Sequence, residues 1–208
     1  MIMKNFVITI SRGFGSGGRI IGKLLADELG IDFYDRQLLK LASDDSGINE
    51  SLFADADETV KSSLLYKVAK NIYKGEVIPP DRDDFISNEN LFNYQAKIIK
   101  ELAQKESCVI IGRCADYILK DFDNVIRIYV HAPLEDCIRT VEEMHLSTKK
   151  NAKNYILTMD KRRAAYYHYF TGQDWKDAAN YDLCINSSRL TRSECVDLVK
   201  AYIKIKCE

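Results

Sequence analysis

The stretch that decides the fold is residues 6–30, FVITISRGFGSGGRIIGKLLADELG. It opens with a β-branched run at residues 6–10, and four glycines follow within residues 13–18. Apolar residues then recur at intervals of three and four over residues 20–29, which is the period of a helix with one buried face. The stretch therefore predicts a buried strand, a glycine turn and a helix.

The glycine turn is suited to binding phosphate. Successive backbone N–H groups in such a turn can point inward, and the following helix adds the positive end of its dipole. Turning the chain does not require so many glycines, so the turn indicates an anion cradle. The residues expected to form it are Gly13, Gly15, Ser16, Gly17 and Gly18.

The turn fits two motif patterns. As G-x-G-x-x-G it spans residues 13–18, and Asp35 follows at the distance expected of a dinucleotide-binding fold. As a phosphate loop it begins at Gly13 with Arg19 in place of the lysine, or one residue earlier with Gly18 in that place. The helical pattern of residues 36–107 favours the phosphate loop, because it is far longer than an ordinary crossover between strands.

The rest of the chain predicts an α/β protein with a doubly wound, parallel, five-stranded sheet. Apolar runs at residues 31–34, 108–111, 125–130 and 183–185 predict the other four strands, and helical patterns lie between them. We expect one domain over residues 1–208, in which residues 36–107 form a helical insertion and residues 145–175 form a basic, helical lid region. The Pro-interrupted segment 75–84 inside the insertion predicts an exposed loop.

Composition excludes several functional classes. Lysine plus arginine number 30 and aspartate plus glutamate 31, so the net charge of −1 gives no general attraction to nucleic acid or to a membrane. No apolar stretch has the length of a membrane span or the form of a signal peptide, so we expect a cytoplasmic protein. The six cysteines form no C-x-x-C pair and predict reduced, mostly buried thiols rather than disulfides or metal ligands.

Residues 15–30 resemble the opening of cytidylate kinases, and the sequence Gly-Ser-Gly-Gly-Arg at residues 15–19 is still more similar to the cytidylate kinase-like family. Further similarity follows in family order across nearly the whole chain. The segments that carry it are Phe33-Tyr34-Asp35-Arg36, Gly112-Arg113, residues 160–167 (DKRRAAYY) and residues 181–188 (YDLCINSS).

The resemblance implies a P-loop kinase fold and transfer of a phosphoryl group from ATP, with Mg²⁺, to a nucleoside monophosphate or similar small phosphorylated acceptor. It assigns the donor phosphates to the glycine turn, with Arg12 and Arg19 as nearby cations. It also implies an acceptor-binding role for Asp35, Arg36 and Arg113. Arg162 and Arg163 match the lid helix, and the resemblance implies that Arg162 binds the acceptor and that Arg163 acts in catalysis together with Arg12 and Arg19. Asn186 matches a position that contacts a nucleobase, although it also suits a turn or cap.

The chain departs from the usual pattern in the turn itself. Gly18 stands where an active phosphate loop has its lysine, and Arg19 stands where it has the metal-binding hydroxyl. Ile111 stands in place of a carboxylate, so Asp35 and Asp116 are the remaining candidates near a metal, and no metal ligand is assigned.

Three hypotheses follow: an altered kinase in which Arg12 or Arg19 replaces the lysine, a nucleotide or phosphate sensor without catalysis, and a dinucleotide-dependent enzyme. The expected partners are a nucleotide and a small phosphorylated acceptor, with a homo-oligomer left open.

Overall fold

The computed structural model describes residues 5–58, 76–82, 84–144 and 149–207. Within them the strands are β1 (Val7–Arg12), β2 (Asp32–Tyr34), β3 (Cys108–Ile111), β4 (Val125–His131) and β5 (Leu183–Asn186). The α-helices are α1 (Gly18–Leu29), α2 (Gln37–Ser46), α3 (Glu50–Glu58), α4 (Asn88–Lys105), α5 (Ala115–Ile118), α6 (Leu134–Glu143), α7 (Lys149–Thr171) and α8 (Arg192–Cys207). Two short 3₁₀ turns, Ala178–Asn180 and Ser187–Arg189, flank β5.

The strands form one parallel sheet in the order β2-β3-β1-β4-β5. Strand β1 lies in the centre, where Ile10 pairs with Ile111 of β3 on one side and with Ile128 of β4 on the other. The predicted doubly wound parallel sheet is confirmed.

Side chains of alternate strand residues build a separate core on each face of the sheet. Val7 and Ile110 pack on the face covered by α2, α4, α5 and α7. Ile8 and Ile111 pack on the other face, against α1 and α8. Both faces are therefore buried, which explains why the strands are continuously apolar in sequence.

Strand β1 is longer than its apolar run predicted. The strand was expected to stop at Ser11, but Ser11 and Arg12 continue the ladder opposite Tyr129 and Val130. Because Arg12 belongs to the central strand, the sheet fixes the position of its backbone.

Within the insertion, the structure describes helices α2, α3 and α4 and part of the loop that precedes α4. The apolar residues Leu64, Leu65, Val68, Ala69 and Ile72, which helped to predict it, lie outside the described residues. Of the predicted exposed loop, residues 76–82 and Asp84 are described, and all of them except Ile78 are exposed. Asn90 anchors this loop, because its side chain bonds both the N–H and the carbonyl of Ile78.

The segment predicted to form a lid, residues 145–175, contains one long helix, α7, and its residues 145–148 lie outside the described part of the chain. None of the helices that the structure describes combines the length and the apolar character needed to cross a bilayer.

Candidate functional site

A cavity of about 580 Å³ opens at the carboxyl ends of β1 and β3. The chain leaves β1 toward the face that carries α1 and leaves β3 toward the face that carries α5, so a crevice forms between the two connections. Six arginines line it: Arg12, Arg19, Arg36, Arg113, Arg162 and Arg163. The glycine turn and Asp35 line it as well, so the cavity brings together all the predicted site residues except Ser16 and Asn186.

The glycine turn has a backbone conformation that depends on glycine. Gly15 and Gly17 have φ of 82° and 79°, and a Cβ on Gly15 would lie only 2.7 Å from the carbonyl oxygen of Cys137. Ser16 closes the turn by donating its hydroxyl to the Gly13 carbonyl at 2.8 Å. Helix α1 begins at Gly18, so its first N–H groups have no acceptor within the helix and remain available to an anion.

Arg12 occupies the space that side chains at two glycines would need. A Cβ on Gly18 would lie 2.7 Å from the Cβ of Arg12, and the Arg12 guanidinium lies where a Cβ of Gly112 would be. The arginine therefore runs from the end of β1, past the start of α1, to the end of β3. A lysine at position 18 and an arginine at position 12 are not compatible in this geometry.

Burial disfavours the charged form of three arginines of the cavity, Arg12, Arg113 and Arg163. Burial, together with the nearby Arg163 and Arg113, lowers the pKa of Arg12 to about 9. Burial also lowers the pKa of Arg113 and of Arg163. With a pKa of about 9, the Arg12 guanidinium still carries its charge at neutral pH, so an anion that approached it would be favoured.

Arg19 and Asp35 form an ion pair across the mouth of the cavity. The Arg19 Nε lies 2.5 Å from the Asp35 Oδ2, which joins the start of α1 to the end of β2. Arg36 follows Asp35 and lines the same cavity, so both predicted acceptor-binding residues of this segment lie at the expected edge of the sheet.

Arg113 enters the cavity from an unusual turn. Gly112, Arg113 and Cys114 all have left-handed backbone conformations, with φ of 68°, 61° and 54°. Such a conformation costs a non-glycine residue about 1 kcal/mol or more, and it is found mainly where a function requires it. The sequence showed the glycine but gave no signal for the two left-handed residues after it.

Helix α7 lies over the glycine turn and is held there by its acidic and basic side chains. The Phe14 N–H donates to the Asp160 carboxylate at 2.8 Å, and Arg163 donates to the Arg12 carbonyl at 3.0 Å. The Phe14 ring also packs edge-on against Tyr155. The predicted lid helix therefore contacts the turn directly, and burial raises the pKa of Asp160 there.

Asp116 lies behind the cavity rather than in its lining. Tyr167 donates its hydroxyl to the Asp116 carboxylate at 2.6 Å, and Ser11 lies 3.4 Å from the other oxygen. Burial raises the pKa of Asp116 to about 6. Its buried, hydrogen-bonded position is that of a polar anchor between α5 and α7.

The residues do not form a magnesium site. Asp35 is paired with Arg19, Asp116 is buried beneath Tyr167, and the described residues include no group of three acidic, histidine or cysteine side chains that could hold a metal. Mg²⁺ prefers several oxygen ligands, so the described side chains would not by themselves complete its coordination here.

Two residues predicted to bind the cofactor, Ser16 and Asn186, have side chains that stabilise the local backbone instead of lining the cavity. Ser16 is buried, and its side chain bonds within the turn. Asn186 accepts hydrogen bonds from the N–H and the hydroxyl of Ser188, so its side chain caps the 3₁₀ turn after β5. Sequence reasoning missed Arg192, whose guanidinium donates to the Ser16 carbonyl at 3.1 Å.

Aromatic residues of α7 serve mainly as core. Phe170 stacks on Phe92 of α4 with ring centroids 4.0 Å apart, and both rings are buried. Tyr166, Tyr167 and Trp175 also contribute to the wall of the cavity.

Comparison with known proteins gives a family match over most of the chain. The model of the cytidylate kinase-like family matches residues 7–189. A comparison with curated protein sequences found no match.

Solved structures share the fold. An uncharacterized protein from Eubacterium ventriosum is 27% identical with a TM-score of 0.69, covering 96% of this chain and 99% of that one. Shikimate kinase from Bacteroides thetaiotaomicron is 12% identical with a TM-score of 0.55, covering 96% and 98%. A gluconokinase from Sinorhizobium meliloti is 12% identical with a TM-score of 0.53, covering 97% and 93%.

Proposed function

Because this chain belongs to the cytidylate kinase-like family, we propose that it transfers the γ-phosphoryl group of ATP to a nucleoside monophosphate or a similar small phosphorylated acceptor. The chain is a kinase-like P-loop protein, and the proposal adds the donor, the acceptor class and the roles of individual residues.

The charge of the cavity carries the proposal. Six arginines line it and Asp35 is the carboxylate among the lining residues, so the walls are strongly positive in a chain whose net charge is −1. A single phosphate group would leave most of this charge unbalanced. A donor triphosphate and an acceptor phosphate together would balance it, which is the charge that two nucleotides bring to one site.

The donor phosphates fit the glycine turn. The free N–H groups at the start of α1 and the open side of the turn supply backbone donors for phosphate oxygens. Arg12 supplies the cation that the lysine of a phosphate loop ordinarily provides, from the strand rather than from the helix. Its guanidinium offers two parallel donors to phosphate oxygens.

The acceptor fits the part of the cavity at the ends of β2 and β3. Arg36 and Arg113 follow these strands and line the cavity. Both can bind an acceptor phosphate in a forked arrangement, and Asp35, whose Oδ2 contacts Arg19, can accept a hydrogen bond from the acceptor through Oδ1. Arg163 on the lid helix lies beside Arg12, where charge would develop on the transferred group.

The direct test is a screen of nucleoside monophosphates with ATP and Mg²⁺, with shikimate as a non-phosphorylated acceptor for comparison. We expect phosphoryl transfer to at least one phosphorylated acceptor and a loss of about a hundredfold or more in kcat/KM for Arg12→Ala. Arg82→Ala is the matched control, because it removes the same charge at an exposed position on the loop before α4 that does not line the cavity. No transfer to any phosphorylated acceptor at high protein concentration, beside an active control kinase, would contradict the proposal.

A specific observation also favours a second function, a nucleotide or phosphate sensor. The turn lacks the lysine and the hydroxyl, and the described residues offer no metal site. For a sensor, calorimetry would show ATP binding with an affinity that does not depend on Mg²⁺, and a kinase assay would show no turnover.

A further inference from the structure

The Ser16 carbonyl is held by two side chains from the far end of the chain. The Ser187 hydroxyl lies 2.7 Å from this oxygen, and Arg192 donates to it at 3.1 Å. Ser187 belongs to the 3₁₀ turn after β5, and Arg192 is the first residue of α8. Neither residue lines the cavity, so both reach the glycine turn from behind.

The position of Arg192 against the turn requires a glycine at residue 17. The guanidinium lies where a Cβ of Gly17 would be, and Gly17 has the left-handed φ of 79°. The Ser187 hydroxyl is buried and also lies 3.2 Å from the His131 carbonyl, but its single hydrogen has the shorter contact with Ser16. These contacts fix one peptide group of the turn, the one between Ser16 and Gly17.

The orientation of that peptide follows from its planarity. In a trans peptide the C=O and the N–H point in opposite directions, and the described residues contain no cis peptide. Since the Ser16 carbonyl points to Ser187 and Arg192, the Gly17 N–H points away from them, toward the side on which Gly17 lines the cavity. Two donors on the carbonyl also polarise the peptide and strengthen its N–H as a donor.

We propose that Ser187 and Arg192 are positioning residues that aim the Gly17 N–H at the donor phosphates without touching them. The inference rests on the proposed function, because it assigns this N–H to the phosphate cradle. Without the two contacts, the peptide can rotate and withdraw its donor from the cavity.

The experiment compares Ser187→Ala and Arg192→Ala with two matched controls. Ser188→Ala removes a hydroxyl from the same 3₁₀ turn that bonds only Asn186, and Arg189→Ala removes an exposed positive charge from the same segment. Two quantities are measured: the amide resonance of Gly17 in the nitrogen-labelled protein without ligand, and the dissociation constant for ATP by calorimetry. Thermal unfolding establishes that each variant is folded.

We expect the Gly17 resonance to shift in both test variants and in neither control, and the dissociation constant to rise about tenfold in each test variant. If Arg192→Ala does not fold, Arg192→Lys serves in its place, because it keeps one donor, and a rise of about threefold is expected. A purely structural role would lower the unfolding temperature without this selective change at Gly17.

The possible failures are distinguishable. An unchanged Gly17 resonance in both test variants would overturn the positioning role, whatever the affinity for ATP. A shifted resonance with native affinity would also overturn it, because the N–H would then be no part of the cradle. If the native protein does not bind ATP at all, the proposed function fails, and the assignment of Gly17 to a donor cradle fails with it.

Discussion

Adding one methyl group at Gly18 tests whether Arg12 has taken over the space of the missing lysine. A Cβ at Gly18 would lie 2.7 Å from the Arg12 Cβ and 3.1 Å from the Val130 Cβ. Both atoms are attached directly to strand backbones, so neither can rotate away. Overpacking of this kind costs about 1–3 kcal/mol, and the lower backbone entropy of alanine in the unfolded chain returns at most about 1 kcal/mol. We therefore expect Gly18→Ala to lower the free energy of unfolding by about 1–2 kcal/mol.

Urea unfolding measures this change, and Gly13→Ala is the matched control in the same turn. A Cβ at Gly13 would make ordinary contacts, the nearest at 3.7 Å from an Asp160 oxygen, so the control should keep its stability. The double variant Arg12→Gly with Gly18→Ala removes the closer of the two clashes. It should recover about 1 kcal/mol relative to the sum of the single changes.

Positions 12 and 18 also test whether the positive charge of Arg12 replaces that of the missing lysine. Arg12→Gly with Gly18→Lys moves the cation from the strand to the helix, and it should bind ATP more tightly than Arg12→Gly with Gly18→Ala. If Gly18→Ala is as stable as Gly13→Ala, the packing argument is wrong. If the lysine brings no gain in affinity over the alanine, Arg12 is not the substitute for the lysine.

Three other changes have equally definite outcomes. The pKa of Asp116 rises from 3.8 to about 6 on folding, so its protonated form stabilises the folded state at low pH and that contribution is lost as the pH rises through 6. Relative to Asp116→Asn, the free energy of unfolding of the native protein should therefore fall by about 2 kcal/mol between pH 4.5 and 7, and urea unfolding that shows a pH-independent difference would refute this. Gly15→Ala combines a left-handed φ of 82° with a Cβ only 2.7 Å from the Cys137 carbonyl, so it should lose about 3 kcal/mol in the same assay, and native-like stability would contradict the geometry. Asp160→Ala removes the acceptor of the Phe14 N–H, so hydrogen exchange at Phe14 should become faster while exchange in the centre of β1 stays slow; unchanged protection at Phe14 would show that Asp160 does not hold the lid helix on the turn.

Periodicity and glycine spacing predicted most of the fold. The apolar runs identified all five described strands, because strands buried on both faces are continuously apolar in sequence. The boundaries were less accurate. Ser11 and Arg12 were placed outside β1 because they are polar, yet hydrogen bonding to β4 extends the strand through them.

The site was predictable where the family resemblance and the end of a strand pointed to the same residue. Arg36 and Arg113 come two residues after β2 and β3, and both line the cavity. Contacts that depend on tertiary packing were not predictable, including the reach of Arg192 to the Ser16 carbonyl and the fit of Arg12 against Gly18. These contacts depend on which residues become neighbours after folding, and a local sequence pattern does not show which residues those are. The assignment of individual residues to donor and acceptor remains a prediction.

The arginines of the cavity differ in how their positions are fixed. Arg12 is part of the central strand, which has hydrogen-bonded strands on both sides, so the sheet fixes the position of its backbone. Arg163 belongs to α7, whose aromatic residues pack in the core, and it donates to the Arg12 carbonyl from that helix. The cavity therefore combines a cation whose position is fixed by the backbone of the sheet with one whose position depends on the packing of a neighbouring helix.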